Sequence, residues 1–418
     1  MIYDPPRLSA SAVDSSLSPE NQNPRDLRSN VYSFGATSLL NDTASEMAYW
    51  VIPAFLVSIG AGPATLGVIE GIAESVASFA KLFSGYLADR VPRRKPLVIS
   101  GYAVANLAKP VLAMATSWWH VLIIRFADRL AKGVRGAPRD VMLSESVPKA
   151  GLGGAFGLLQ AMDSAGAIVG PLIALLLLKF GHGLRTIFWI AAIPGLASIF
   201  VVWALVRETK SGAASAASGA PALPGFGKGG LGGLPTSFYY VVAAVTLFSI
   251  GNSSDMFLVL RAQDVGIAAA LAPALGLVFN ITYTATSWPA GRWSDRVSKR
   301  AMAAAGYVVF AVVYAVFAWA PSRAAIWGAM AFYGLFYSLT NPVLRALVAQ
   351  TIDPESRGRA FGIFYFSTSV ATLLASVLTG ELWKMFGAAM PFYLSAGLAV
   401  AAAGMLMLSS EQRVVSSE

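Results

Sequence analysis

Apolar runs, each about as long as a bilayer-crossing helix and separated by short charged or Gly/Pro-rich breaks, occupy this chain from residue 31 to residue 410. A helix needs about 20 mostly apolar residues to cross a hydrocarbon core ~30 Å thick. Runs of that kind fall at 31–58, 65–88, 96–115, 118–147, 152–179, 184–206, 236–260, 269–293, 300–319, 323–350, 357–385 and 388–410, about twelve in all. Those at 118–147 and 323–350 carry charge within them. Of the 418 residues, 56% are hydrophobic and 13% charged, against about 25% charged in an ordinary soluble domain. Such a chain cannot cover its outside with polar groups in water. The expected fold class is an all-α membrane protein of about twelve transmembrane helices.

The cations are not scattered evenly. One set of connections carries Arg25 and Arg28, then Arg90, Arg93, Arg94 and Lys95, then Arg207, Lys210 and Lys228, then Arg296, Lys299 and Arg300, then Arg357 and Arg359. The alternate set carries only Lys179, Arg185, Arg261, Arg323 and Lys384. Basic connections stay in the cytoplasm. The chain is therefore expected in a bacterial inner membrane with both termini cytoplasmic. The net charge of +9 is then a topology signal, and no nucleic-acid partner is expected. There is no cysteine, which excludes a disulfide framework or a thiolate metal site. His120 and His182 lack metal-ligand spacing, so no metal site is expected.

Residues 1–30 are polar, contain Pro5, Pro6 and Pro24, lack an apolar signal-peptide core and read as a disordered cytoplasmic tail. The stretch 207–235 contains SGAASAASGAPALPG and GKGGLGG, a flexible linker by composition. It divides the chain into a first bundle at 31–206 and a second at 236–410, with 411–418 as a closing tail.

The halves repeat one another. GYLADRVPRRK (Gly85 to Lys95) follows the second span, and GRWSDRVSKR (Gly291 to Arg300) follows the eighth. Ser45, Glu46 and Met47 match Ser254, Asp255 and Met256; GGAFG from Gly153 matches GRAFG from Gly358. Three ordered matches at nearly one offset mark a duplication, which in secondary transporters places the substrate site near mid-membrane between the halves.

The Gly85 to Lys95 run resembles the signature loop between the second and third helices of the major facilitator superfamily, with Pro92 where a glycine is usual. The run from Arg129 through Lys132, Gly133, Arg135 and Gly136 to Pro138 is similar to the family's fourth-helix motif, with Lys132 where glutamine is common. Gly166, Gly170 and Pro171 resemble the fifth-helix motif associated with antiport, although Ala174 and Leu175 replace its following glycines. The resemblance covers roughly residues 31–410. It implies two pseudo-symmetric six-helix bundles and a rocker-switch transporter. In that mechanism Asp89, Arg90, Arg139, Asp295 and Arg296 gate the cytoplasmic side. Asp89 has two candidate partners, Arg139 and the N-terminus of the eleventh helix, whose free N–H groups and dipole favour an anion. Asp295 stands equivalently in the other half. Arg93, Arg94 and Lys95 are expected to bind anionic headgroups and fix topology.

Charges within spans are costly and face a cavity or a partner. Asp42 and Glu46, one helical turn apart, share a face and lie roughly 16–22 Å into the first span at 1.5 Å per residue. Two close carboxylates cannot both ionise cheaply, the arrangement a proton carrier uses. Glu70 and Glu74 in the second span, and Asp163 in the fifth, extend the set of proton-coupling candidates. Arg125, Arg129, Lys132 and Arg135 recur every three or four residues along the fourth span, continued by Arg139. They must pair with these acids or meet an anionic substrate; between a static ion-pair network and direct involvement in protons or substrate, the second reading is preferred. In the second half Asn252, Asp255, Asn280, Tyr283, Tyr337, Asn341 and Arg345 are the polar candidates for a substrate cavity.

The expected function is secondary active transport of a small solute, by proton-coupled efflux. Proton-coupled uptake of a siderophore or another anionic metabolite is the alternative, and a lipid or lysolipid translocator a third. A membrane enzyme or a non-transporting receptor fits poorly: no catalytic constellation can be assembled and no signalling motif is present. The expected partners are a small-molecule substrate and membrane lipids, the chain acting as a monomer. No cofactor is expected, the proton gradient being the energy source.

Overall fold

The computed structural model describes residues 24–49, 51–61, 63–209, 233–253, 255–267, 271–319 and 322–415. Among them are fourteen α-helices and no strand. The first half holds α1 (Pro24–Tyr49), α2 (Ile52–Ser58), α3 (Pro63–Arg90), α4 (Lys95–Ala113), α5 (Trp118–Glu145), α6 (Leu152–Lys179) and α7 (Leu184–Leu205). The second holds α8 (Thr236–Gly251), α9 (Met256–Asp264), α10 (Ala272–Ser294), α11 (Lys299–Trp319), α12 (Arg323–Thr351), α13 (Arg357–Phe386) and α14 (Met390–Val415). The first run of each half is a broken helix, α1 with α2 and α8 with α9; each of the others is a single helix.

Two boundaries differ from the sequence reading. Helix α1 begins at Pro24, inside the segment read as a tail. The buried Asn30 explains its order there. Its amide donates to Ser146 Oγ at 3.0 Å and to the Arg207 carbonyl at 3.1 Å, and its Oδ1 accepts the Arg207 N–H at 2.8 Å. At the other end α14 runs on to Val415, through part of the segment read as a closing tail. The rest of the two tails, and residues 210–232 of the linker, lie outside the described residues.

Packing repeats with the sequence. Helix α1 lies on α6 and α7, α3 on α5, and α4 on α5 and α7; likewise α8 lies on α13 and α14, α10 on α12, and α11 on α12 and α14. The halves meet along α3 with α13 and α6 with α10. Even a chain turn is duplicated: Gly181 after α6 and Gly387 after α13 both have φ near the left-handed region, at +81° and +87°, which a side chain would resist.

Polarity sorts the helices. Six segments among the described residues, Lys95–Ala113, Lys149–Lys179, Leu184–Leu205, Lys299–Trp319, Pro354–Phe386 and Met390–Leu408, are long and apolar enough to cross a membrane unaided. Helices α1, α3, α5, α10 and α12, each interrupted by charged or polar residues, fall outside that set, although buried charge is not confined to them, since Lys109 lies on α4. On the outside, α7 exposes Trp189, Ile193, Leu196, Phe200 and Trp203, a stripe at three- and four-residue spacing. An exposed stripe of that size suits contact with lipid tails.

Candidate functional site

A cavity of about 470 Å³ lies between the halves. Asp42 of α1, Lys81 of α3, Lys132, Arg135 and Arg139 of α5, and Gln160 and Asp163 of α6 line it from the first half. The second half supplies an aromatic wall, Phe248, Tyr283, Tyr307, Phe336, Tyr337 and Tyr365, with Asn252, Asn341 and Arg345 among the rings. The polar helices thus face inward, together with the polar positions of the more apolar α6, α11 and α13.

Two glycines bring the acids together. A methyl group at Gly166 would stand 2.6 Å from the Leu39 carbonyl and 2.9 Å from Asp42 Cβ. One at Gly170 would stand 2.6 Å from the Thr43 carbonyl and 3.0 Å from Glu46 Cβ. Helix α6 therefore lies against the acidic face of α1, and Asp163, one turn from Gly166, stands beside Asp42, close enough for the two carboxyls to interact. Two carboxyls that close cannot both ionise cheaply and can share one proton. Ser38 Oγ donates to Asp163 at 2.9 Å, and Asn41 Nδ2 to Asp42 at 2.9 Å. The close acid pair is thus Asp42 with Asp163, from two helices, with Glu46 a nearby charge and Lys132 acting on both carboxyls. The side chains of Glu70 and Glu74 lie outside the described residues.

A polar chain runs behind Asp42. Lys109 Nζ donates to Asn106 Oδ1 at 2.7 Å, Asn106 Nδ2 to Asn41 Oδ1 at 3.1 Å, and Asn41 in turn to Asp42. Sequence reasoning passed over these residues, which carry no motif; a lysine inside an apolar run was the available signal.

The cationic stripe of α5 divides. Arg125 pairs with Asp128 at 3.4 Å and lies over the Tyr49 ring, 5.5 Å from its centroid. Arg129 also acts on Asp128. Neither lines the cavity, and this part of the stripe is internal to the first half. Lys132, Arg135 and Arg139 do line it. Arg135 is buried, its guanidinium 4.2 Å from the Tyr102 ring centroid and its Nη1 without a hydrogen-bond partner. Arg139 pairs with Asp140 at 3.0 Å, so of the two partners considered for Asp89 it is not the one used.

Asp89 instead accepts the N–H groups of Gly358 at 2.7 Å and Arg359 at 2.6 Å, at the start of α13. Asp295 accepts those of Gly153 at 2.7 Å and Gly154 at 2.8 Å, at the start of α6. Each carboxylate caps the free N–H groups of a helix in the other half, where the helix dipole also favours it. The crossing is tight: a side chain at Gly85 would meet the Gly358 carbonyl, and one at Gly291 the Gly153 carbonyl. Arg90 and Arg296 are exposed at this Arg-rich end. Arg94 departs from the expected headgroup contact. It is 1% exposed, donating from Nε to the Ala88 carbonyl at 2.6 Å and pairing with Glu145 at 2.9 Å. Glu208 accepts the Arg94 and Lys95 N–H groups, each at 3.0 Å.

Further side-chain bonds cross the halves, two of them at duplicated positions. Arg345 Nη2 donates to Gln160 Oε1 at 2.5 Å, and Tyr365 Oη donates to Asp140. The offset that carries Asp89 onto Asp295 carries Arg139 onto Arg345, and the one that carries Gly153 onto Gly358 carries Gln160 onto Tyr365. Applying the repeat to every polar residue would have found Gln160 and Tyr365. Of the remaining second-half candidates, Tyr283 accepts from Asn341 at 3.0 Å and Asp255 from Tyr333 at 2.7 Å, while Asn280 bonds back to the Gly276 carbonyl at 3.1 Å. Asp255 and Asn280 are not among the cavity-lining residues.

The comparisons with known proteins agree with this architecture. The model of the Major Facilitator Superfamily matches residues 34–253 and 236–417. An uncharacterised MFS-type transporter of Methanocaldococcus jannaschii is 32% identical over 380 residues, 89% of this chain and 93% of that protein. The multidrug resistance protein MdtG of Escherichia coli is 29% identical over 195 residues, 45% of this chain and 47% of its own. The fold is similar to that of the human organic anion transporter MFSD10, with a TM-score of 0.76 at 15% identity over 92% of this chain and 100% of that one. With family matches over both halves and a relative aligned along nearly its whole length, the chain belongs to the major facilitator superfamily of membrane transporters.

Proposed function

We propose that this chain is a proton-coupled exporter of a small solute, working as an antiporter by alternating access of the one cavity between its halves. The observation that carries the reading is the Asp42–Asp163 pair in the cavity wall beside Lys132. A carboxyl pair that holds one proton can release it when a solute or a cation enters its field, and take it up again when that solute leaves. Binding of proton and solute would be mutually exclusive where the solute donates a hydrogen bond or brings a positive group to the pair, as exchange requires; an anionic group alone would hold the proton in place and favour symport. The Arg-rich end faces the cytoplasm in this reading, by the distribution of Lys and Arg. Asp89 and Asp295 latch it, so the structure described is the outward-facing state. Relatedness to a multidrug resistance protein over 45% of the chain and the Gly166, Gly170 and Pro171 motif support export.

The test is a flux assay in proteoliposomes with a trapped pH dye and an acidic lumen, using a solute found by thermal-shift screening at two pH values. An antiporter alkalinises the lumen as external solute enters, and Asp42→Asn and Asp163→Asn each abolish that change. Solute-driven acidification would favour uptake by symport instead. Unchanged flux in both variants would remove the proposed carriers.

A further inference from the structure

The charge of the cavity wall is unbalanced. Its described lining residues bring five cations, Lys81, Lys132, Arg135, Arg139 and Arg345, against two acids, Asp42 and Asp163. Asp140 neutralises Arg139, and the two acids stand close enough to share a hydrogen bond. No carboxylate among the described residues lies within ion-pair distance of Lys132, Arg135 or Arg345. Two of these are buried, Arg135 at 5% and Arg345 at 7% exposure. Arg345 has only neutral company: the Asn341 carbonyl, the Gln160 amide and the Phe156 ring. A buried cation with no carboxylate in contact is costly, by several kcal/mol as an order of magnitude, and the acid that acts on Arg135, Asp128, also serves Lys109, Arg125 and Arg129. Such a cavity offers an anion both charge and donors, and repels a cation.

The rest of the wall limits the body of the solute. Phe248, Tyr307, Phe336 and Tyr337 present ring surface, while the Tyr283 and Asn341 side chains add a few hydrogen-bonding groups. The cavity of about 470 Å³ is in the size range of small-molecule sites, roughly 300–1,000 Å³. The cations come from α5 in the first half and α12 in the second, and line one cavity.

Resting on the transporter reading of this cavity, we propose that its substrate is a small organic anion with an aromatic or apolar body. The carboxylate, sulfonate or phosphate group is bound between Lys132 and Arg135 of α5 and Arg345 of α12, and the body lies against the aromatic wall of the second half. Organic cations are excluded by the same charges.

The probes are three naphthalenes of similar shape, 1-naphthoate, 1-naphthylmethylammonium and 1-naphthylmethanol. They are titrated by calorimetry into the purified full-length protein in a neutral maltoside detergent. Naphthoate is expected to bind at least about tenfold more tightly than either analogue, the size of one charge-assisted hydrogen bond. Lys132→Gln and Arg345→Gln each reduce naphthoate affinity about tenfold or more and leave the alcohol unchanged. Lys179→Gln, an exposed cation outside the cavity, changes neither. Lys132→Gln alters an exposed side chain and keeps the test valid if Arg345→Gln does not fold. Equal or tighter binding of the ammonium or the alcohol overturns the proposal. So does inorganic phosphate competing as strongly as naphthoate, since the apolar body would then contribute nothing. The titration uses no proton gradient. Naphthoate binding without proton movement in the flux assay keeps this site and removes the coupling, whereas coupled proton movement with tighter ammonium binding keeps the coupling and removes this site.

Discussion

Replacing Asp89 by asparagine tests whether the carboxylate–helix contacts hold the Arg-rich end closed. Asp89 uses both oxygens, on N–H groups at 2.7 and 2.6 Å. Asparagine keeps one acceptor but turns an NH2 group toward the other donor, so one charge-assisted bond is lost, about 1.5–3 kcal/mol. The attraction of the charge to the α13 dipole goes with it, about 0.3–1 kcal/mol. A loss of about 2 kcal/mol, at the low end of that sum, changes the closed-to-open ratio roughly 30-fold. The chain has no cysteine, so spin labels can be placed on introduced cysteines without background. Lys149 and Glu355 are exposed on equivalent short turns of the two halves. In Lys149→Cys/Glu355→Cys, double electron–electron resonance should give one dominant short distance. Asp89→Asn should raise a longer one, and Asp89→Asn with Asp295→Asn should make it dominant. An unchanged distance distribution in the folded double variant would show that these bonds do not hold the closed state.

Three more outcomes follow from the geometry. Gly85→Val and Gly291→Val place a side chain against a facing carbonyl; each should cost the closed state about 1–3 kcal/mol, seen as the longer distance in the same spin-label assay. Arg94→Ala leaves Glu145 without its 2.9 Å partner and should lower stability by about 3–5 kcal/mol, measured by thermal unfolding in detergent, whereas a headgroup-binding arginine would give no change there. Tyr365→Phe removes the bond to Asp140 that crosses the halves and should weaken closure by about 1.5–3 kcal/mol, less than loss of both latches.

The helices, the duplication and the partner of Asp295 by analogy with Asp89 were legible because they depend on period, spacing and repeat. The acid pair was not. An i,i+4 spacing puts Asp42 and Glu46 on one face of one helix, but which acid meets Asp42 is decided by the approach of α6, which Gly166 and Gly170 permit. The division of the cationic stripe was hidden for a related reason. A strict heptad row drifts ~20° per seven residues on a straight helix, so from Arg125 to Arg139 it turns by about 40° and its ends meet different neighbours. Arg94 was misread because a basic residue beside a span usually signals topology; the half-buried Glu145 that claims it lies at the far end of another helix.

The repeat also explains why the two halves cannot be equivalent. Arg139 and Arg345 occupy corresponding places, but the residue after Arg139 is Asp140, while the residue after Arg345 is Ala346. The first arginine therefore has its counter-charge on its own helix, at 3.0 Å. The second has none there and reaches across to Gln160. In reverse, Tyr365 reaches back to Asp140. These two cross-half bonds thus centre on one arginine site and its duplicate, and both would break if the Arg-rich end opened. Breaking them leaves Asp140 still paired with Arg139, but leaves Arg345, 7% exposed, without its amide. A buried guanidinium stripped of a partner must gain water or an anion. A bound anionic group would meet that need, so the cost of opening is lower for the loaded transporter than for the empty one. On the proposed reading, that difference would couple solute to movement, as an exchanger needs, and it would arise from the absence of one aspartate in the second copy of the repeat.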